Sequence, residues 1–317
     1  MMKYVIHILV ILCCGKLCGQ QDIMNTHFMY NKLALNPAYA GKVETFTLNL
    51  IHRDQWTGLD GAPQGQALSL NFPSIKESLG LGLNIGREMV GIQERLTVEG
   101  NYAYKFNLAE GSLSMGLSAS TRQFTNDFSD PRLVSIQGID IDPAISGQRE
   151  TKNVFNAGAG IYFRTNTYYL GASVPRLIEA DLDFEQDGGT LSKEARHLYI
   201  MTGAAFPLKN NLKFTPQILF KLAENAPFDL DLNFGIDYDE KYYGAINLRT
   251  GGGNEDIAES IDVLFGFQLT QSVLLGVAYD YTLSDLGRYE NGTIEALFNY
   301  RFAKKIKEVD IINPRFF

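Results

Sequence analysis

The chain carries a repeated alternation of apolar and polar residues, clearest in two runs that flank a glycine-rich turn. In the first run, residues 44–53, Phe46, Leu48 and Leu50 share one face while threonine and asparagine occupy the other. The second run, residues 64–72, repeats the pattern. A period of two places alternate side chains on opposite faces of a β-strand. The pattern therefore predicts two strands that direct their apolar faces to the same side of one sheet.

About fourteen such segments follow one another from residue 44 to residue 302, with no helical periodicity between them. This spacing predicts an all-β antiparallel sheet or barrel. The connections alternate between short turns, such as residues 239–241, and longer loops, such as residues 125–152 and 175–195. Short periplasmic turns and long extracellular loops are typical of outer-membrane barrels, whereas a soluble β-sandwich gives no reason for the alternation. We therefore predict a transmembrane antiparallel β-barrel of about 14 strands.

The residues on the two faces of the predicted strands agree with a barrel that has lipid outside and polar groups inside. In residues 228–238, Phe, Leu and Ile alternate with Asp, Asn and Gly. Outward-facing aromatic residues are predicted to form an interfacial girdle near the short-turn rim. They are Tyr102, Tyr104, Phe106, Tyr168, Tyr238, Tyr242 and Tyr300. Pro216 lacks a backbone donor, so it predicts a bulge or a local break in its strand.

The inward face carries charges of both signs, which fits either a polar pore or an internal salt-bridge network that closes the lumen. We favour the closed lumen, because residues 20–42 lack the alternation and could fold inside the barrel. Glycines in the strings GLGLNIG, residues 80–86, and NAGAGIYF, residues 156–163, are predicted to mark lumen positions where a plug or neighbouring backbone approaches closely.

The N-terminus resembles a secretory signal peptide. Lys3 precedes an apolar run from Val5 to Leu12, and all three cysteines lie within the first 18 residues, so we predict cleavage after Gly19. Cys18 offers a lipoprotein alternative, but the three residues before it make a poor lipidation motif. The predicted organisation is a signal peptide at 1–19, a periplasmic or plug segment at 20–43, the barrel at 44–302 and a periplasmic tail at 303–317.

Composition and chemistry-bearing residues narrow the function classes. A net charge of −8 argues against a nucleic-acid partner, which requires concentrated Lys and Arg. Beyond the signal peptide the sequence has no cysteine, and its histidines, His27, His52 and His197, show no metal-binding spacing. A GxSxG nucleophile elbow is also missing from the sequence. We therefore predict a protein that is not an enzyme and uses no cofactor or metal.

Three motifs and the chain end resemble a known family. The motifs are NKLALNPAYAG from Asn31, HRDQWTGLDGAPQGQALSLNFP from His52 and GLGLNIGREMVG from Gly80, and the chain ends in NPRFF. Together they resemble the PorP/SprF family of type IX secretion and gliding-motility outer-membrane proteins. The resemblance implies a barrel that supports the secretion of a large adhesin and its attachment to the cell surface through the adhesin's C-terminal domain.

Two alternatives stay open from the sequence. The PorP branch of the family implies a structural component that links the outer membrane to periplasmic peptidoglycan-associated proteins, and the polar inward face allows a porin-like or hydrophobic-solute transporter. Partner contacts are predicted in the loop between the first two strands, which connection lengths assign to the extracellular rim, and in the tail. The candidate residues are Gln55, Trp56, Gly58, Asp60, Gly61, Pro63, Asn313, Pro314, Arg315, Phe316 and Phe317.

Overall fold

The fold was obtained as a computed structural model, and it describes residues 24–133, 148–182, 193–223, 226–251 and 258–302. The predicted signal peptide and the predicted C-terminal tail lie outside these ranges. Within them, no helix has the length and apolar character needed to span a membrane. The helices are single turns, at Phe28–Tyr30, Lys32–Leu35, Pro37–Tyr39 and Asp285–Arg288.

The described strands form one closed antiparallel barrel, which confirms the predicted fold class. Each strand pairs with its neighbours in sequence, and the first strand pairs with the last, Thr47 opposite Arg301, to close the cylinder. The strands are β1 Thr47–Asp54, β2 Gln64–Asn71, β3 Leu79–Val90, β4 Gln93–Leu108, β5 Gly111–Asp127, β6 Arg149–Arg164, β7 Tyr168–Val174, β8 His197–Ala204, β9 Phe206–Pro207, β10 Leu212–Ala223, β11 Asp229–Tyr238, β12 Tyr242–Thr250, β13 Ser260–Gln268, β14 Val273–Thr282 and β15 Thr293–Arg301.

The two-residue β9 continues β8, so the barrel wall has fourteen strands. Both pieces pair with β10 in one register, and the ladder between them is interrupted opposite Pro216. On the other side of this break, the amide of Ala205 donates to the carbonyl of Thr167 at 2.9 Å. A local break is therefore present, but the predicted strand is wrong: β10, which contains Pro216, is continuous, and the break falls in the partner strand because proline offers that strand no donor.

The alternation of faces follows the prediction. Large apolar residues such as Phe234, Ile236 and Val277 are exposed on the outer wall, and the intervening Asp and Asn side chains are buried inside. The predicted girdle residues at the short-turn rim are exposed, except for Tyr300, which is half-buried. Within the girdle, the rings of Tyr104 and Phe106 contact each other, with their centroids 4.9 Å apart, and so do those of Tyr238 and Tyr242.

Two predicted extracellular connections, residues 88–95 between the third and fourth strands and residues 125–152, were too long. The chain between the third and fourth strands turns at Gly91 and Ile92 alone, because cross-strand ion pairs extend this hairpin, with Arg87 Nε 2.6 Å from Glu94 Oε1. The predicted loop 125–152 is likewise shortened at both ends by the strands β5 and β6. These extensions carry charged rather than alternating apolar residues, so the membrane pattern did not reveal them.

Candidate functional site

Residues 24–42, here called the plug, lie inside the barrel. The plug begins near the long-loop end of the lumen, where the thioether of Met24 contacts Lys221, and it ends near the short-turn end, where Lys42 Nζ donates to Ser112 Oγ at 2.9 Å. Its apolar side chains are buried against wall residues in one cluster, and Leu33 is only 2% exposed. The plug therefore fills the space that an open pore would need.

Wall side chains hold the plug largely through the plug's main chain. Asparagines and serines that point inward from several strands donate to plug carbonyl oxygens. The contacts are Asn49 to Tyr30 at 2.9 Å, Asn84 to Leu33 at 3.2 Å, Ser173 to Leu35 at 2.6 Å and Asn71 to Tyr39 at 3.3 Å. Asn71 Oδ1 also accepts from the Gly41 amide at 2.8 Å. These wall residues are called the amide ladder below.

The NPAYAG motif is a structural joint inside the lumen. Asn36 is fully buried, and its Oδ1 accepts from the Ala38 amide at 2.9 Å while Pro37 begins a short 3₁₀ turn. The same side chain donates to the carbonyl of Ile161 at 2.9 Å and to that of Ala172 at 3.3 Å. One residue thus stops the preceding helix, starts the next turn and fastens the plug to β6 and β7.

Wall glycines give the plug room, as predicted for some positions but not for all. A Cβ added at Gly80 would lie 2.1 Å from the carbonyl oxygen of Ala40, and one at Gly160 would lie 2.2 Å from Asn36 Oδ1. At Gly82 the added atom would meet Leu33 at 2.7 Å. The prediction is wrong for Gly86, where the nearest atom is 3.9 Å away.

A buried ionic group joins the start of the plug to the wall and is called the latch. The guanidinium of Arg53 lies 2.7 Å from Asp280 and 3.2 Å from Glu295. Glu295 accepts from the backbone amides of Thr26 and His27, at 2.9 and 2.7 Å, and its Oε1 lies 2.7 Å from His27 Nδ1. Charge-assisted bonds of this kind are stronger than bonds between neutral groups.

The ionic network continues along the inner wall beyond the latch. Arg249 Nε lies 2.8 Å from Asp231 Oδ1, and Lys221 Nζ lies 2.8 Å from the other oxygen of the same carboxylate. Asn247 joins Asp231 to Asp262, at 3.2 and 2.7 Å. The mixed inward charges therefore form a closed salt-bridge network rather than the lining of an open pore.

A second buried group lies on another arc of the wall. Glu194, 4% exposed, pairs with Arg122 and accepts from Asn156 Nδ2 at 2.7 Å, and its Oε1 lies 3.7 Å from Arg176 Nε. Glu194 comes from the connection between β7 and β8, so its carboxylate fastens that connection to the inner face of β5 and β6.

The two plug lysines are held in surroundings that disfavour their charge. Burial, with the nearby Arg164 guanidinium, lowers the pKa of Lys32 to about 7, and the same two causes with Lys105 lower the pKa of Lys42 to about 7. The ammonium of Lys32 also lies 3.9 Å from the ring centroid of Tyr169.

We expect the plug to seat more firmly as the pH rises from about 7 towards 10. In a released plug both lysines return to their ordinary pKa of about 10.4, so the released state binds more protons than the seated state throughout this window. A rise in pH therefore stabilises the seated plug relative to the released one. Hydrogen exchange of the amides in residues 24–42, corrected for the intrinsic rate, should slow between pH 7 and pH 9. Protection that is equal at the two values would contradict this assignment.

On the extracellular rim, the predicted partner loop is joined to neighbouring connections on both sides. The amide of Thr57 donates to the Gly292 carbonyl at 2.9 Å, and the Asn291 amide donates to the Thr57 carbonyl at 2.7 Å. On the other side, the Gly91 amide donates to the Gly61 carbonyl at 2.9 Å. The loop therefore forms one hydrogen-bonded surface with the β14–β15 connection and the turn between β3 and β4.

The candidate rim residues differ in exposure. Gly58 and Asp60 are exposed, Gln55, Trp56 and Gly61 are half-buried, and Pro63 is buried. Trp56 takes a positive φ of 52°, and its amide donates to Thr293 Oγ1 at 3.1 Å. Partner contact by these residues stays a prediction, and Asn313, Pro314, Arg315, Phe316 and Phe317 lie outside the described residues.

Sequence reasoning missed many residues of the site, and for two of them, Tyr289 and Arg53, the sequence held a usable signal. Tyr289 in the connection between β14 and β15 is 73% exposed, beside the predicted loop, and a tyrosine within the polar string SDLGRYENG was the available signal. Arg53 was missed because it lies at the strand end within the loop motif. Arg53 lies two residues after Ile51 and four after Asn49, so strand alternation places it on the same inward face as these two residues.

Replacing Gly58 with alanine should loosen the rim. Gly58 has a φ of +96°, and an added Cβ would lie 2.5 Å from Asn291 Nδ2, so both strain and contact oppose the side chain. We expect a loss of about 1 kcal/mol of local stability, measured as faster protease cleavage within residues 55–63 on intact cells. Asp60→Ala, at an exposed position of the same loop, should cleave at the parent rate. Equal rates for both variants would contradict the proposed packing.

Chemically, the described residues form a binding architecture. No group of three His, Cys, Asp or Glu within the described ranges could hold a metal ion. The arrangement offers a filled polar lumen, with the plug fastened to its wall, and an ordered extracellular rim.

Comparison with known proteins gives a family and a fold. The profile described as "Type IX secretion system membrane protein PorP/SprF" matches residues 17–300. Among solved structures, the CymD monoaromatic hydrocarbon channel aligns with a TM-score of 0.53 at 10% identity, covering 89% of this chain and 94% of that one. No curated protein matches the sequence.

Two further solved structures are outer-membrane proteins of lower similarity. Omp33 of Acinetobacter baumannii aligns at 9% identity with a TM-score of 0.45, covering 83% of this chain and all of that one. The KdgM porin aligns at 11% identity with a TM-score of 0.38, covering 81% and 99%. At these identities the likeness concerns the fold alone.

Proposed function

Because the chain belongs to the PorP/SprF family of type IX secretion system membrane proteins, whose profile covers residues 17–300, we propose that it supports secretion of a large adhesin and holds the adhesin's C-terminal domain at the cell surface. Its place in the outer membrane follows from the family and the barrel fold. The family is one of secretion-system barrels, and the proposed role is binding rather than catalysis.

The single observation that carries this proposal is the ordered extracellular rim. Backbone hydrogen bonds connect the β1–β2 loop to the β14–β15 connection and to the turn between β3 and β4. These three connections are already fixed to one another, so they lose little conformational entropy when a partner docks. Exposed Tyr289 offers an aromatic side chain of the kind enriched at protein interfaces, and exposed Asp60 offers a polar side chain of the kind found at their edges.

The filled lumen also supports a holding role over solute passage. An ion or solute would have to cross the plug and a salt-bridge network in which Asp231, Asp262 and Glu295 are fully buried. A porin-like or hydrophobic-solute transporter would need the plug to move before it conducted.

Photo-crosslinking on intact cells tests the proposal. A photoreactive amino acid at Asp60 or at Tyr289 should link the barrel to a secreted adhesin, and mass spectrometry should identify peptides of the adhesin's C-terminal domain. The matched control is Lys209, an exposed residue in the periplasmic turn before β10, where we expect no adhesin adduct.

The outcomes separate the candidate roles. Adhesin adducts from the rim positions alone support the proposal. Adducts with periplasmic peptidoglycan-associated proteins from Lys209, with none from the rim, would replace it with the linking role. In a second readout, deletion of the gene should remove the adhesin from the cell surface, and unchanged display of every type IX cargo would overturn the proposal.

A further inference from the structure

The amide ladder recognises atoms that every polypeptide has. Asn49, Asn84 and Asn71 donate hydrogen bonds to carbonyl oxygens of the plug, and Asn71 Oδ1 also accepts one from a plug backbone amide. Glu295 likewise accepts from two backbone amides. A surface that binds the main chain accepts different sequences, provided that their side chains fit the space beside it.

The wall does not need the plug to neutralise its charges. Arg53 pairs with both Asp280 and Glu295, and Arg249 pairs with Asp231, all within the wall itself. Departure of the plug would therefore leave these ions paired, whereas a wall ion paired only with the plug would be left as an isolated charge. The plug is attached to the latch by hydrogen bonds from Thr26 and His27.

The plug has a distinct composition. Residues 24–42 contain no Asp or Glu, and they carry Lys32, Lys42 and His27. The wall facing the start of the plug presents the carboxylates of Glu295 and Asp280. A peptide without acidic residues suits this surface, because an added carboxylate would face like charge at the latch.

From these observations we propose that the inner wall is a peptide-binding surface, that residues 24–42 are its resident ligand, and that an acid-free segment of the secreted partner, folded in single turns as the plug is, occupies the same surface in place of the plug. This inference rests on the proposed function, since it says where a segment of that partner lies. The occupying segment enters from the long-loop end, where the latch faces the extracellular half of the lumen.

The space beside the plug's main chain determines which side chains the site accepts at each position. Leu33 fills the gap over Gly82, and Ala38 sits where a Cβ on Gly116 would lie 2.2 Å from its nitrogen. A position that takes a large aliphatic side chain, 33, and one that takes a small residue, 38, therefore lie five positions apart. The glycines that admit the plug define the register of any peptide that replaces it.

Binding of a synthetic peptide tests the inference in the full-length protein. The probe is a fluorescein-labelled peptide of residues 24–42, titrated into the detergent-solubilised barrel. In a Thr26→Val, His27→Ala variant the resident plug loses latch contacts while the wall is unchanged. We expect the probe to bind this variant about tenfold or more tightly than the parent. His52→Ala, at an exposed outward histidine, is the matched control and should behave as the parent does.

A modified peptide tests main-chain recognition. N-methylation at His27 and Gly41 removes the donors to Glu295 and Asn71 and should weaken binding about tenfold or more. Asn25→Gln in the peptide, which keeps every main-chain donor, should bind as the parent peptide does. Undiminished binding of the methylated peptide would overturn main-chain recognition, and no binding of any peptide to the latch variant would overturn the inference.

Competition separates this inference from the proposed function. The adhesin's C-terminal domain should displace the labelled peptide from the latch variant. If the peptide stays bound at a saturating concentration of the adhesin's C-terminal domain, the proposal that the domain and the plug share one site is overturned. Crosslinks from Asp60 and Tyr289 would then still support docking at the rim. If those crosslinks are also missing, the proposed function fails with it.

Discussion

Replacing Gly116 with valine should convert a silent barrel into an ion-conducting one. An added Cβ at Gly116 would lie 2.2 Å from the Ala38 nitrogen and 2.4 Å from the Pro37 carbonyl carbon, both of them backbone atoms that cannot rotate away. The plug must therefore leave its seat, and the emptied lumen is lined by polar side chains. Planar-bilayer recordings should show discrete conductance steps for the variant and none for the parent.

The control for this experiment is Gly244→Val. Gly244 has no atom within 4 Å of an added Cβ, and it pairs with the outward-facing Phe265, so valine there projects towards lipid. This variant should stay silent in the bilayer. A Gly116→Val barrel that keeps its heat-modifiable migration, and hence its fold, but conducts no ions would contradict the assignment of residues 24–42 as the element that closes the lumen.

Replacing Arg53 with alanine should be the most destabilising single change in the wall. Its guanidinium is 2% exposed and bridges Asp280 and Glu295, so its removal leaves two carboxylates buried beside each other. Breaking a buried ion pair by removing one partner costs about 3–5 kcal/mol. Urea unfolding in detergent, followed by loss of the heat-modifiable band, should show the decrease in the free energy of unfolding.

Arg87→Ala provides the comparison. Arg87 faces outward, is 43% exposed and pairs with a partly exposed Glu94, and pairs of this kind contribute about 0–1 kcal/mol. If the two variants unfold at the same urea concentration, the latch does not hold the barrel as described. Acidification should partly rescue Arg53→Ala, because protonation removes the repulsion between the two carboxylates.

The fold followed from short-range patterns, and this explains how much of it was predictable. Alternation in residues such as 228–238 gives strand faces directly, since adjacent side chains of a strand must point to opposite sides. Loop parity gave the orientation of the barrel. Pro216 indicated a ladder break through its missing amide, but the break lies in the partner strand and not in the strand of Pro216, where it was predicted.

The candidate site depends on contacts between distant parts of the chain, and no local pattern encodes them. Thr26 and Glu295 are separated by 269 residues, and their pairing needs both the barrel closure and the depth of the plug. The glycines at 80, 82 and 160 were correctly taken as signs of close approach, but they do not specify which segment approaches. The charged extensions of β3 and β4 escaped prediction because above the membrane both faces meet water.

A disulfide in living cells tests the central claim, that the lumen is occupied by the chain's own N-terminal segment. Cysteine occurs in the sequence only at positions 13, 14 and 18, within the predicted signal peptide, and replacing these three with serine leaves a pair introduced by Leu33→Cys and Gly82→Cys without background. Leu33 Cγ, which lies about where the sulfur of a cysteine at this position would lie, is 3.3 Å from the position of a Cβ on Gly82, so the two sulfurs can come close enough to bond.

We expect oxidation on intact cells to produce an internal link, seen as altered migration of the heated, non-reduced protein and reversed by a reductant. In the control pair, Leu33→Cys with Gly244→Cys, one cysteine lies on the plug and the other on the lipid-facing side of the wall, so the two should stay unlinked. Failure of the first pair to link, or equal linking of both pairs, would contradict a plugged barrel.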